Sequence, residues 1–383
     1  MSLSSIGLEG KKRLSFQQGN DPDAGWSVED VSQIGPSLSF AIDVTKAETL
    51  AVNSAIGGCF QGQTHGHEGF LLESEAAKIL IRKTPDYAMV VYPFLIADDL
   101  IGRLDAKPTR YVIDFRNLDL LEAQHFPIAF QRVQKFVLPD RQKAAAAEES
   151  QNHAAHVANP RARLNHHHAN FLRHWWRLSW DRGELMSTIG SMDRYIVCGR
   201  VTKRPIFEFI SREIHPNDSL QVFPYDDDYS FGILQSHIHW LWFTERCSTL
   251  KSDWRYTSNT VFDSFPWPQL PDIGAARAVA KAAVALRTLR SSLRDKHKIS
   301  FRDLYRGLDL PGEHSLKDAQ EALDTCVLAA YGMHSSADPL EFLLSLNLAL
   351  AGVEKDGGSI QGPGLPPCAT DLGEFKTGDC VSV

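Results

Sequence analysis

Four groups of residues could carry chemistry, and each is tested first against what that chemistry requires. Pro85-Asp86 and Asp105-Ala106-Lys107, with the two aspartates 19 positions apart (105 − 86), are the residue types with which a Mg²⁺-dependent nuclease holds metal and phosphate. Such a site wants its carboxylates and lysine on adjacent strands. Pro108 follows Lys107 directly, so the triplet falls in a loop before a strand. His166-His167-His168 would fan out by about 100° per residue on a helix and could not share one ion. His237 and His239 stand two apart, which suits a strand, whereas the run from Phe231 to Phe243 is apolar enough for a buried helix. These histidines therefore read as solvated or core residues. Asp226-Asp227-Asp228 lacks the glycine and distal glutamate of a calcium loop and reads as a turn or cap. Methyl transfer to an amino group needs a glycine-rich loop after a strand and an Asn/Asp-Pro-Pro-aromatic turn. Gly57-Gly58 lacks that context, and the lone Asn-Pro pair, Asn159-Pro160, continues into Arg161.

What remains is a set of basic residues interleaved with aromatics. Between Arg161 and Glu213 ten Arg/Lys stand against five Asp/Glu, a local +5 in a chain whose net charge is −7. Local charge, rather than the sum, decides whether a surface can meet phosphates. In Arg194-Tyr195-Ile196-Val197-Cys198-Gly199-Arg200-Val201-Thr202-Lys203-Arg204 apolar and basic positions alternate toward a basic tip. On a strand Arg194 and Arg200 share a face. Arginine reads guanine edges bidentately, and any basic side chain can meet a phosphate. An exposed strand with solubilising charges fits the same pattern.

The elements that must position these residues follow from periodicity and turn signals. Short strands are expected at Phe70–Leu72, Ala88–Tyr92 and Arg110–Phe115, with a helix from Ser74 to Ile81 between the first two. Helices are expected at Leu120–Gln124 and through the alanine-rich 140–156 stretch. After the basic, aromatic stretch 157–180 a helix from Arg182 to Ile189 leads to strands at Tyr195–Cys198, Ile206–Ile210 and Leu220–Phe223. The proline-punctuated segment Val261–Gln269 cannot be a central strand and marks a boundary. Beyond it Val279, Ala282, Ala283, Leu286, Leu289 and Leu293 form one helical stripe. Helices from Ser315 to Ala330 and from Pro339 to Leu350 follow. Residues 1–50 read as a ragged entry segment, polar at first and apolar near Leu38–Val44.

Length and composition agree with this layout. A chain of 383 residues suits two or three domains, and 43% hydrophobic with 23% charged residues is ordinary for a soluble globular protein. No apolar run is long enough to span a bilayer, and the first residues lack a signal peptide, so a cytoplasmic protein without membrane contact is expected. Six scattered cysteines without a CxxC pair read as reduced thiols.

Several motifs recur together: Trp175-Trp176 with Trp180 and Glu184-Leu185, Arg194-Tyr195-Ile196-Val197, Arg200-Val201-Thr202-Lys203, and Asp226 through Ser236. They continue in His239-Trp240, Cys247 through Lys251, Arg255-Tyr256-Thr257 and Val261 through Gln269, with Phe60-Gln61-Gly62, Tyr92-Pro93 and Tyr111–Phe115 earlier and Ala329–Gly332 later. In this order, over residues 50 to 350, they resemble the target-recognition part of MmeI-like (type IIL) restriction–modification enzymes. Members of that family join a nuclease, a helical spacer, an adenine-N6 methyltransferase using S-adenosylmethionine, a recognition domain and a C-terminal helical domain. This chain resembles the last two, with a fringe of the methyltransferase end.

The resemblance implies an α+β fold, a mixed-sheet recognition domain followed by a small helical domain. It implies a fringe of the methyltransferase domain or an entry segment at 1–55, a recognition domain at 56–270 and a helical domain at 271–352; the Gly/Pro-rich, acidic composition after Gly352 predicts a disordered tail at 353–383. It further implies a module that reads a short site on double-stranded DNA and presents one adenine for flipping into a pocket supplied elsewhere. S-adenosylmethionine would belong to that missing catalytic domain, with no cofactor, metal or catalytic residue in this chain; a separate methyltransferase or nuclease chain is a possible partner. The expected DNA contacts are Arg194, Arg200, Lys203 and Arg204, with Arg173 and Arg177 on phosphates. Trp175, Trp176, Trp240 and Trp267 are expected in the core. The alternatives are a remnant of a broken methyltransferase gene, or a nuclease working through Asp86, Asp105 and Lys107.

Overall fold

The computed structural model describes residues 12–17, 26–31, 42–55, 57–250, 253–308, 310–334 and 337–383. Residues 38–41 of the apolar entry stretch lie outside them. Lys12–Gln17 and Trp26–Val31 pair as an antiparallel ribbon. The architecture is α+β, as expected.

Residues 70–178 enclose one core. Leu71–Glu73, Arg110–Ile113 and Val91–Leu95 lie side by side, antiparallel, and His215–Pro216 joins the Val91–Leu95 edge in parallel. Tyr111, Val112 and Ile113 are all buried, because the sheet is covered on both faces. The helix Pro127–Ala158 lays Phe130, Val133 and Val137 against Phe70, Phe94 and Trp176 in this core.

The second core is larger. Its sheet runs Phe60–Gln61, Leu220–Phe223, Arg194–Gly199, Glu208–Ser211, antiparallel throughout. Every residue of Arg194–Gly199 is buried, so the strand is near-continuously apolar rather than alternating. The Phe231–Phe243 run is two helices, Asp228–Gln235 and His237–Arg246. They divide at Ser236, whose extended backbone ends the first and whose hydroxyl caps the second. A small hairpin, Ser248–Leu250 with Asp253–Arg255, extends onto Val201–Thr202.

Helices Ile273–His297, Ser315–Ala330 and Pro339–Lys355 share this core: Val279, Leu286, Leu323, Val327 and Leu343 belong to one cluster with Tyr195, Phe209 and Phe231. The division in packing therefore falls near residue 180, whereas the boundary expected at 270 runs through the interior of a single core. Composition alone suggests a boundary wherever prolines cluster, but Pro266 and Pro268 flank Trp267, which is 1% exposed.

Residues 48–52 at the end of the entry segment, and the tail, are both tied down. Glu354 accepts from the backbone N–H groups of Ala51 and Val52 (2.7 and 2.8 Å), capping the helix Ala51–Ala55. Asn347 exchanges hydrogen bonds with the Glu48 backbone. The expectation of a disordered tail at 353–383 is corrected. Phe375 is fully buried, and Val381 bridges the edge strand at Ile210, donating to Phe209 O (2.8 Å) and accepting from Ser211 N (2.9 Å). A glycine- and proline-rich composition conceals these few apolar anchors. Among the described residues no helix is long and apolar enough to cross a membrane.

Candidate nucleic-acid interface

The two cores meet at the segment Gln61–Thr64. Its backbone bridges both: Gln63 pairs with Asn217, and Thr64 pairs with Trp180. At Gly62 a side chain is excluded, because an added Cβ would lie 2.2 Å from the carbonyl oxygen of Asn217. Gln63 is fully buried and spends its whole amide. Its Nε2 donates to Asp114 Oδ2 and to the Asp181 carbonyl, both at 2.8 Å, and its Oε1 lies 3.0 Å from His215 Nδ1. Since the amide nitrogen faces the carboxylate, His215 Nδ1 carries the proton. Burial holds the His215 pKa well below its usual range, with Arg116 acting the same way, so the ring is neutral. It stacks on Tyr92 at 3.9 Å. Burial raises the Asp114 pKa against the opposing pull of Arg116.

Arginines surround this junction. Arg116, whose backbone N–H donates to Asp114 Oδ1 (2.9 Å), keeps Nε and Nη1 buried without an acceptor. Arg182 sits in the left-handed region (φ 53°) just ahead of the helix Gly183–Gly190, a conformation rare for a side chain of this size. It turns the guanidinium onto Gln61 Oε1 (3.2 Å) and Gly62 O (3.4 Å). Arg200 directly follows the strand Arg194–Gly199, with its Nε buried and unpartnered. Burial lowers its pKa, and Arg255 and Arg182 lower it further, against Asp218. Arg177 gives Nη2 to Leu118 O (3.0 Å), while its Nε is buried without a partner. Arg182, Arg200 and Arg255 thus bring like charge together here, beside buried guanidinium N–H groups of Arg116, Arg177 and Arg200 that lack acceptors.

The six expected contacts separate on this geometry. Arg200 and Arg177 belong to the arginine arc, Lys203 is exposed on the turn beyond Arg200, and Arg173 is exposed at the end of the helix His167–Arg173. Arg204 rests over the Trp240 ring (5.1 Å) and lines a cavity with Leu308 and Lys317, turned toward the C-terminal helices. Arg194 is a correction. It is 3% exposed and pairs with Asp228 (2.9 Å) and Asp379 (3.1 Å), over the face of Phe209 (3.6 Å). The same-face argument that paired it with Arg200 fails because strand and tail close over it. Arg116, Arg182 and Arg255 stand at this junction although the sequence does not single them out: Arg182 counts only toward the basic island, and Arg116 has no local signal.

Other expected sites resolve structurally. Asp227 caps the helix after it, accepting from Ser230 N (2.7 Å). His239 is a satisfied core residue, its ring nitrogens on Leu234 O (2.7 Å) and Tyr256 Oη (3.0 Å). Asp105 receives two hydrogen bonds from Arg103 (2.9 and 3.1 Å), so its carboxylate closes a local loop rather than standing free for a metal. Trp176 and Trp267 are buried, and Trp175 and Trp240 are half-buried. A side chain on Gly58 would strike Tyr225 and Phe262. Gly58 is buried against these rings, whereas Gly57 is half-buried with a left-handed φ of 61°.

Residues 202–269 match the family model described as the MmeI target recognition domain. A solved structure, described as type IIL restriction–modification enzyme MmeI in complex with DNA, superposes on 91% of the chain with a TM-score of 0.67 at 18% identity. DNA methyltransferase A of Bacillus subtilis (strain 168) is 32% identical over 121 residues, 31% of this chain. The chain covers 42% of the solved enzyme's length, and the Bacillus match covers 13% of that protein. The resemblance carried by the ordered motifs is thus an MmeI-type recognition segment set in an MmeI-like fold.

Proposed function

We infer that this chain, with its MmeI-type recognition segment, binds double-stranded DNA as the target-recognition part of a type IIL adenine-N6 methyltransferase. The single observation that carries the reading is the arc of Arg116, Arg177, Arg182, Arg200 and Arg255, with buried N–H groups of the first, second and fourth lacking acceptors. Phosphate oxygens and guanine edges are the acceptors such groups fit. The similarity to a protein solved with DNA supports the same partner.

Methyl transfer with S-adenosylmethionine, and the flipping pocket for the adenine, belong in this reading to polypeptide outside these residues, in the same protein or in a separate chain, in the cytoplasm. The Gly57-Gly58 and Asn159-Pro160-Arg161 runs, which lack the glycine-loop context and the Asn/Asp-Pro-Pro-aromatic pattern of such chemistry, support this reading.

The test is electrophoretic binding to duplexes carrying the methylated site, over a series of salt concentrations. The log of affinity should fall linearly with log salt, each neutralised phosphate adding about 0.9 to the slope. Undetectable duplex binding at low salt, even with a neighbouring catalytic chain added, ends this reading.

A further inference from the structure

Beside the arginine arc lies a cavity of about 460 Å³ between the helix Pro127–Ala158, the helix His167–Arg173 and the turn at 178–182. Arg141, Arg177 and Arg182 line it, against the single carboxylate Asp181. Arg141 is the telling member. It is 8% exposed, yet among the described residues it makes no ion pair. Its donors reach only neutral groups: Phe171 O and His174 O (both 3.2 Å) and Ser179 Oγ (3.3 Å), with its guanidinium carbon over the Phe70 and Phe171 rings (5.5 and 5.4 Å). Burial without a counter-charge pulls its pKa down to about 10. Sequestering a guanidinium this way is costly unless an anion completes the site.

The mouth of the same cavity carries an aromatic platform. Trp180 is 45% exposed, an unusual place for an indole. Its ring stands edge-on to Phe171 (5.2 Å) and tilted beside His167 (5.7 Å). Its backbone is locked to Thr64 by two hydrogen bonds (3.0 and 3.1 Å), so the ring is presented from a rigid element. Cationic donors inside and a fixed aromatic face at the entrance are the two recognition elements for a nucleotide. A paired base inside a duplex cannot enter a pocket; one swung out of the stack can.

We propose that this cavity receives a single nucleotide splayed out of the duplex, its phosphate held by Arg141, Arg177 and Arg182 and its base stacked on Trp180. The proposal rests on the DNA-binding reading, since Arg177 and Arg182 serve both the arc and the cavity. It adds a second place, within this chain, where an unstacked nucleotide is held.

The full chain is titrated with a fully paired duplex and with the same duplex carrying one unpaired 2-aminopurine. The bulged duplex should bind about tenfold tighter, near the lower end of a base–aromatic stack, with its fluorescence quenched. Trp180→Ala should bring the two affinities within about twofold while leaving paired-duplex binding unchanged, and Trp180→Phe should restore the preference. Equal affinity of the wild-type chain for both duplexes, without quenching, overturns the proposal and leaves the DNA reading intact. If neither duplex binds, the DNA reading itself falls and takes this with it. Deoxyadenosine monophosphate binding as tightly as the bulged duplex, and lost in Trp180→Ala, would make the ligand a free nucleotide and overturn its origin in the duplex.

Discussion

Replacing Asp379 by alanine should destabilise the fold by about 2 kcal/mol, and the structure sets that figure. Four charges meet beneath the tail: Arg194 and Arg287 against Asp228 and Asp379. The side chains of both arginines and Asp228 are under 5% exposed, whereas Asp379 is 51% exposed. Removing Asp379 leaves two buried guanidiniums on one carboxylate, and Arg287 Nε loses its acceptor at 2.8 Å. Breaking a fully buried pair costs roughly 3–5 kcal/mol. Solvent at the exposed partner screens about half of that. Arg194 keeps Asp228, the Asp226 carbonyl and the Asp379 carbonyl, so it is not stranded.

The pH dependence follows the same site. Arg287, Thr377 and Arg194 together hold the Asp379 carboxyl far below its usual pKa despite partial burial. A depressed folded pKa means stability that is present above the unfolded value of about 3.9 and lost as pH falls toward the folded one. Urea titrations of wild type and Asp379→Ala at pH 7 should therefore differ by about 2 kcal/mol, or roughly 4–8 °C in thermal midpoint. The gap should narrow below about pH 4. A difference under about 0.5 kcal/mol at pH 7, or one independent of pH, would refute the view of the tail as a counter-charge.

Other outcomes follow from the same reasoning. Arg200→Ala should relax discrimination at one base pair by about 1–3 kcal/mol if it reads a base edge, measured over a panel of single-substitution sites; uniform weakening on every site would make it a phosphate contact. Arg182→Gly removes a left-handed strain costing about 1 kcal/mol along with two long hydrogen bonds. Its thermal midpoint should stay within a few degrees of wild type, while duplex affinity falls and the salt slope shrinks by about 1. Gly62→Ala drives a methyl into the Asn217 carbonyl and should cost about 2–3 kcal/mol in urea unfolding; a neutral result would mean the junction of the two cores is plastic. His239, buried and held down to about pKa 4 mainly by burial, stays neutral in the fold but charges near pH 6.5 when unfolded. This group alone should lower stability by up to about 3 kcal/mol between pH 6.5 and 4; His239→Gln should remove that share of the limb and leave the share of His215, which burial also keeps neutral.

Much of the fold is legible where the physics is local. The helices Ser315–Ala330 and Ile273–His297 follow from apolar stripes, and Leu220–Phe223 from a short apolar run between turns. What escapes is long-range. Nothing near Arg194 announces that its partner Asp379 comes 185 residues later, so strand alternation placed on a surface a side chain that the tail covers. Asp114, which accepts from the Arg116 backbone, is held in turn by Gln63, 51 residues earlier, and a glutamine buried to hold three partners has no signature in sequence. The recognition segment was visible because many weak motifs kept their order, which is evidence of kinship and not of which atoms touch a base.

The tail's closure also bears on synthesis. A nascent chain holds the strand Arg194–Gly199 and the helix carrying Arg287 long before residues 377–381 leave the ribosome. Until then two guanidiniums share one aspartate and the sheet edge at Ile210 lies open to other strands. Translation that stops short, or a proteolytic nick behind Gly362, would leave a product whose largest core is uncompensated and sticky, and cellular quality control would meet it as a misfolding chain rather than as a slightly shorter one.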